Sequence, residues 1–446
     1  MAMATCWRTV AAVSLGTLFS WYDFFLHGVM AALLAHHFFG AGDFGVDAPS
    51  ALFMLSLLNF TAGFVVRPVG ALLFGRLGDM IGRKYTFLIT LLVMGLSTCA
   101  IGLLPTVASV GMAAPVMLVL LRLLQGLALG GEYGGAVVFV AEQAPPGRRG
   151  LHTACVQTTA SLGLAMALAV VLLLRALLGE ANFIEWGWRL PFLLSAVLLA
   201  LGVWVRLSMS ESPVYLALRQ RGSASRTPIR EAFGHREPLR RALLLLFGAV
   251  AGQAVVWYAC QFHALFYLVE VLQVDEVQAQ VMLLLALLLG APLFPLFGAL
   301  SDRIGRRPVL LGGLLLAAVG LIPVFDAMVA ATVITPSGSG QIDRLHGVGL
   351  LLLLLLPVAM VYAPLAAWLT ESFPARIRYT AVSLPYHLGN GWFGGLVPVI
   401  AFASLSHGEV ARHGLLYPVA VACLSALVGG LWLRDLPAAR RRGPLG

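Results

Sequence analysis

The chain has 446 residues, 60% of them hydrophobic and 11% charged, with a formal net charge of +9 and a mean hydropathy of +0.91. Soluble domains carry about a quarter charged residues, so this composition excludes an ordinary soluble enzyme or binding module and indicates a polytopic membrane protein. The basic excess falls in short clusters between apolar runs, the pattern that orients membrane proteins. It therefore excludes a nucleic-acid partner, whose recognition would gather the charge on one soluble face.

A helix crosses the hydrocarbon core with about 20 residues. The apolar runs predict an all-α fold of twelve spans, at roughly 9–36, 51–74, 85–104, 114–141, 151–178, 188–207, 242–269, 278–299, 308–329, 347–369, 380–405 and 415–433. No small-residue cleavage site follows the first run, which reads as a retained anchor helix rather than a signal peptide. The longest hydrophilic segment, 208–241, opens with Glu211, Ser212 and Pro213 and continues as a basic amphipathic stretch suited to lie at a membrane surface. The chain thus divides into an N-terminal six-helix bundle (1–207), a cytoplasmic linker (208–241) and a C-terminal six-helix bundle with a short cytoplasmic tail (242–446). The low-complexity stretch Thr335–Gly340 is expected to be a flexible outer loop.

Of the 29 Lys and Arg residues, 23 fall in segments that share one side if the N-terminus is inside, and only Arg344 and Arg412 lie in the opposite loops. The positive-inside rule then places both termini in the cytoplasm of a plasma membrane, expected to be a bacterial inner membrane. The five cysteines are scattered through apolar runs without metal or redox spacing, and no metal or cofactor is expected. The single lysine, Lys84, precludes a Gly-Lys-Ser/Thr phosphate loop, and neither His-Glu-x-x-His nor Gly-x-Ser-x-Gly occurs. A primary pump and an intramembrane enzyme are therefore disfavoured, as is a channel, which would not require two homologous halves.

The halves are homologous because two motifs recur. Gly75–Lys84, a charged loop between the second and third runs, returns as Gly298–Arg307, 223 residues on. In each copy the glycines allow a tight turn, while Asp79 or Asp302 can cap a helix N-terminus and pair with Arg83 or Arg306. A second motif, Glu142 through Pro145 to Arg148 and Arg149, returns 229 residues on as Glu371 through Pro374 to Arg376 and Arg378. Each copy reads either as a solvated turn anchoring the inner face or, since the copies occupy equivalent places, as one of a pair of charge latches closing the cytoplasmic side. Such internal repetition is the mark of secondary transporters, whose bundles rock around a site between them.

The chain resembles the major facilitator superfamily and, within it, the metabolite:proton symporter family. The matching residues are Gly16 with Trp21, Tyr22, Asp23 and Phe24; Arg67 to Gly70 running into Gly75–Lys84; Arg122, Gln125 and Gly126 with Gly130 to Gly134; Glu211 to Pro213; and Glu371 to Tyr379. The resemblance implies a carrier of small organic acids or zwitterionic osmolytes with protons, and a cavity lined by helices 1, 4, 7 and 10. The family commonly has a glutamate where this chain has Ser20, and often a tyrosine where it has His27, so proton coupling through that glutamate is unavailable.

Ionisable residues at mid-bilayer are costly and usually face a cavity or a partner. Asp23 and His27 lie four apart on the first helix, Arg67 is on the second, and Arg122 and Glu132 are on the fourth, too far apart along it to pair with each other. Arg67 or Arg122 either pairs with Asp23 or Glu132 across an interface or meets an anionic substrate. Asp23, Glu132 and His27 are the candidates for proton coupling. Arg122, Gln125 and Tyr22 are candidate substrate contacts. So are Gln253, Trp257 and Gln261, spaced four apart on the seventh helix, Tyr362 beside Pro357 and Pro364 at a candidate gating bend, and Asn390 near Tyr386 and His387. Gly126, Gly130 and Gly134 recur every four residues, which reads as close helix packing or as a backbone-lined wall. The expected function is proton-coupled symport of a small carboxylate by a monomeric, lipid-embedded carrier. A carrier of a zwitterion such as betaine or proline, or an exporter of amphipathic compounds, is the alternative.

Overall fold

The computed structural model describes residues 2–40, 49–336, 338–406 and 413–435, with side chains apart from those of 2–5, 49–53 and 405–406. The predicted C-terminal tail with Arg440, Arg441 and Arg442, and also Arg412 and Ser337, lie outside the described residues. Among the described residues, eleven helices are long and apolar enough to cross a membrane. They are α1 (Cys6–Val29), α2 (Met54–Ile81), α3 (Arg83–Leu103), α4 (Ala113–Gln143), α5 (Arg149–Leu178), α6 (Arg189–Leu207), α7 (Arg236–Val271), α8 (Glu276–Ile304), α9 (Arg306–Ala331), α10 (Arg344–Glu371) and α12 (His413–Trp432). The remaining predicted span, α11, comes in two pieces, Arg378–Leu388 and Val397–Ser406, separated by a π-helical turn at Gly389–Gly394.

Several boundaries differ from the sequence reading. The repeated motif is mostly helix rather than loop: α2 runs through Gly75, Gly78 and Asp79 to Ile81, leaving only Gly82 as the link to α3, at φ 117°. In the second copy Gly305 does the same at φ 111°. A single residue in that conformation reverses the chain, and only glycine adopts it cheaply. Gly78 has another role, because a Cβ there would meet the Tyr379 ring of α11. The linker holds two short helices, Pro213–Gln220 and Pro228–Phe233, and α7 begins at Arg236, six residues before the predicted span. The predicted loop Thr335–Gly340 follows the strand Thr332–Ile334 and runs into the strand Gly340–Ile342, which pairs with it antiparallel; β-branched residues suit the first strand.

Two helix pairs pack along each other across the halves, α2 with α11 and α5 with α8. Glycines set their spacing and that of α4. A Cβ on Gly126 or Gly130 would meet the carbonyl oxygen of Gly63 or of Arg67 on α2, and one on Gly134 would meet Ser383 on α11. The glycine stripe is thus used for backbone-to-backbone packing, which suits a bilayer where close contact replaces the hydrophobic drive. Three π turns interrupt α7, at Leu246–Val250, Ala259–His263 and Tyr267–Val271. Each inserts a residue relative to a regular α-helix, and Gln261 lies inside the second of them.

Candidate functional site

At the arginine-rich end the two repeated motifs build one device twice, each copy spanning the halves. Asp79, in the last turn of α2, accepts hydrogen bonds from the Tyr379 amide (3.3 Å), the Thr380 amide (2.9 Å) and the Thr380 hydroxyl (2.8 Å), so it caps α11 rather than its neighbour α3. Asp302, in the last turn of α8, accepts from the amides of Gly150 and Leu151 at 2.9 Å each and caps α5. Beside each cap lies a buried ion triad. Glu142 takes Arg378 at 2.9 Å and Arg83 at 3.6 Å, while Glu371 takes Arg306 at 2.9 Å and Arg149 at 3.8 Å. Arg83 also lies 3.5 Å from Asp79, and Arg306 2.6 Å from Asp302. The four basic members are related like the glutamates: Arg83 and Arg306 are 223 residues apart, Arg149 and Arg378 229 apart. A carboxylate at a helix N-terminus and charged hydrogen bonds in a buried setting are among the stronger polar contacts.

The opposite end is also crossed. Arg175 of α5 meets Glu276 of α8 at 2.9 Å, and nearer the middle the Trp392 indole donates to the Val65 carbonyl at 3.2 Å and the rings of Phe60 and Phe262 lie 5.2 Å apart. With contacts at both ends, the centre is sealed.

That centre holds Arg67, fully buried at the middle of α2. Its Nε donates to His387 Nδ1 at 3.2 Å and its Nη1 to the Tyr258 hydroxyl at 3.4 Å, and Nη2 has no partner. The rings of Phe64, Phe24 and Trp21 surround the guanidinium at 5.4, 5.6 and 5.8 Å. No carboxylate among the described residues pairs with it. Around it, Tyr133 of α4 stacks on Tyr386 of α11 with ring centroids 3.3 Å apart, and Tyr386 shares a 2.7 Å hydrogen bond with Tyr362 of α10. Trp21, Phe25 and Trp257 form a continuous stack, with centroids 5.0 and 5.1 Å apart. Further buried polar atoms without partners belong to this region: Trp257 Nε1, His387 Nε2 and Ser383 Oγ. Such atoms are costly in low dielectric.

The other residues singled out from sequence are spread over the helix interfaces. Arg122 is saturated by protein oxygens: Nε and Nη2 donate to the Phe60 carbonyl at 3.3 Å, and Nη1 donates to the Phe24 carbonyl and to Gln125 Oε1 at 3.0 Å. Gln125 in turn donates to Thr98 at 2.7 Å, so this pair ties α1, α2, α3 and α4 together. Tyr22 donates to the Pro191 carbonyl of α6 at 2.7 Å. Asp23 accepts from Ser195 of α6 at 2.5 Å and has no cationic partner among the described residues. Glu132 is ion-paired with Arg206 of α6 and accepts from Thr90 at 3.0 Å; Gly16 leaves the room that Arg206 occupies. His27 meets Asn59 at 2.9 Å. Gln253 and Asn390 bond each other, joining α7 to α11, and Gln261 accepts from Ser161 at 3.2 Å across the halves. Ser20 only returns a bond to the Gly16 carbonyl. Trp21, Tyr133, Tyr258 and His387 carry no sequence signal that assigns them to a substrate site. The signal for Arg67 is its place within an apolar span, but sequence does not show that Arg122 is hydrogen-bonded by backbone carbonyls and Gln125 while Arg67 keeps a nitrogen without a partner.

Among the described residues, no cluster of three His, Cys, Asp or Glu side chains could hold a metal ion. A family model of the Major Facilitator Superfamily matches residues 13–398 and, again, 261–445. The chain is 32% identical to a proline/betaine transporter of Salmonella typhimurium over 95% of its own length and 82% of the relative's. It is also 32% identical to an alpha-ketoglutarate permease of Escherichia coli over 90% and 88% of the two chains. In fold it matches the proton:xylose symporter XylE, with a TM-score of 0.75 over 98% of both chains at 18% identity. The relatives and the family are transporters rather than enzymes, and with its twelve helices and duplicated halves this chain belongs to the major facilitator superfamily.

Proposed function

We propose that the protein is a proton-coupled secondary transporter of a small carboxylate-bearing metabolite, which it binds at the buried guanidinium of Arg67. The observation that carries the reading is a buried guanidinium with aromatic walls, no carboxylate partner and one nitrogen left without a bond. Arg67 Nη2 would take a substrate carboxylate oxygen, with Tyr258 and His387 fixing the plane of the guanidinium. Trp257, Tyr362 and Asn390 lie on α7, α10 and α11 of the C-terminal half, whereas Arg122, Gln125 and Tyr22 bond helices of the N-terminal half to one another. Alternating access follows from breaking one set of end contacts at a time. The Asp79 and Asp302 caps with their triads close the arginine-rich end, and Arg175 with Glu276 closes the other. The arginine-rich end is taken as cytoplasmic in a bacterial inner membrane, with both termini and the 208–241 linker on that side. The halves 1–207 and 242–446 are the rocking units.

For the proton, Asp23 suits the role best of the three candidates. It can change charge without stranding a partner, since Ser195 can donate to or accept from it, whereas discharging Glu132 would strand Arg206. A second reading is favoured by the Trp21, Phe25 and Trp257 stack: a zwitterion would set its carboxylate on Arg67 and its ammonium on the ring faces. A panel of carboxylates, betaines and proline, scored by thermal stabilisation of the purified protein, decides between the two. Stabilisation by simple dicarboxylates but not betaines supports the first, and the reverse supports the second. Uptake into proteoliposomes that ignores an imposed pH gradient would rule out proton symport.

A further inference from the structure

Where α7 begins and α12 ends, the arginine-rich end carries a notch that shares no lining residue with the surroundings of Arg67. A cavity of about 320 Å³ opens there between Arg240, Arg241, Trp368, Trp432 and Arg434. It continues into an open apolar groove between α7 and α12, floored by Leu239, Leu243, Phe247, Leu424 and Val428. Arg240, Leu244 and Trp432 line both, so the charged and apolar parts form one continuous surface.

We propose that this notch binds an anionic phospholipid, its phosphodiester among Arg236, Arg240 and Arg434 and its acyl chains along the α7/α12 groove. The charge is complementary and unspent. Arg236, Arg240 and Arg434 are exposed and carry no ion pair among the described residues. The acidic neighbours are already engaged: Glu237 faces Arg241 at 3.4 Å, and Asp435 accepts from the backbone amides of Arg306 and Arg307 at 3.0 and 3.1 Å. Arg241 is held as well, donating to the Ser372 carbonyl at 2.8 Å. A soluble anion would use the arginines and leave the groove empty, and an apolar partner would leave the arginines uncompensated. A lipid with a negative headgroup matches both along one line. Trp432, 53% exposed at the junction, is the kind of side chain that settles at headgroup level. The site adjoins the latch, since Ser372 follows Glu371 and Asp435 holds the first amides of α9, so an occupied notch would bear on the residues that close this end.

The full chain, purified in a zwitterionic detergent, is titrated with dioleoyl phosphatidylglycerol, dioleoyl phosphatidylcholine or inorganic phosphate, and binding is followed by native mass spectrometry and thermal shift. Each arginine contributes about fivefold to binding of an anionic headgroup, so R236A/R240A/R434A should bind phosphatidylglycerol roughly a hundredfold more weakly. R236K/R240K/R434K should keep most of the affinity. Equal melting of the two triple variants without lipid, together with unchanged stabilisation by the transported substrate, shows that the loss is not misfolding and does not depend on the transport reading. Phosphatidylglycerol binding no tighter than phosphatidylcholine, an alanine triple that binds like the parent, or equal stabilisation by inorganic phosphate would each overturn the proposal.

Discussion

Asp79→Asn removes one charge and almost no volume from the contact that closes α2 against α11. The carboxylate accepts three hydrogen bonds, from the Tyr379 and Thr380 amides and the Thr380 hydroxyl. Bonds to a charged acceptor contribute about 1.5–3 kcal/mol and neutral ones about 0.5–1.5 kcal/mol, so the substitution loses on the order of 1 kcal/mol per bond. The lost attraction between a carboxylate and a helix N-terminus adds about 0.3–1 kcal/mol. Arg83 keeps Glu142 at 3.6 Å and the Ala375 carbonyl at 3.0 Å, so the rest of the cluster stands. About 3 kcal/mol corresponds to roughly a 150-fold shift of the equilibrium between closed and open forms of this end. Hydrogen exchange of the 373–381 segment reads that shift, because the Tyr379 and Thr380 amides are the donors. Exchange there should accelerate by one to two orders of magnitude in Asp79→Asn. In Asp302→Asn the acceleration should instead appear at Gly150 and Leu151. Exchange within about threefold of the parent in both segments would refute the reasoning that these aspartates hold the end shut.

Glu132→Gln should lower thermal stability by about 3–5 kcal/mol, because it leaves Arg206 charged, buried and unpaired, and adding Arg206→Gln should restore most of it. A single variant that melts like the parent would count against the pair as a buried bridge. Arg122→Met removes four hydrogen bonds and leaves Gln125 Oε1 without its donor, and should lose about 2–4 kcal/mol of stability. The folded fraction should still respond to the transported ligand; a complete loss of that response would return Arg122 to the site. Gly126→Ala places a methyl group against the Gly63 carbonyl and should sharply reduce the folded yield, measured by monodisperse recovery in detergent.

The twelve-span architecture and the inner-face motifs can be read from the chain because hydropathy and duplication are one-dimensional signals. The partners of the charges are not one-dimensional. The aspartate at position 79 announces a cap, but only the packing of α2 on α11 shows that it caps a helix 300 residues on. Arg206, which ends an apolar run and so reads as part of a surface cluster, turns inward to Glu132 across the space left by Gly16. The four-residue spacing of Gln253, Trp257 and Gln261 suggests a single role, yet their partners differ: Gln253 bonds Asn390, Gln261 bonds Ser161 from within a π turn, and Trp257 stacks on Phe25. Between Arg67 and Arg122 the sequence offers two equal arginines, and the difference lies in carbonyl oxygens that no side-chain pattern encodes.

The most direct test of the account is the effect of Arg67→Met and Arg67→Lys on binding of whichever carboxylate or betaine stabilises the parent, measured by calorimetry on purified protein. The guanidinium's charged hydrogen bond to the ligand implies roughly a 10- to 150-fold loss of affinity in Arg67→Met. Arg67→Lys, which keeps the charge but not the planar fork, should fall between, with both variants melting within a few degrees of the parent in the absence of ligand. Unchanged affinity in Arg67→Met would contradict the assignment of this central arginine to the substrate.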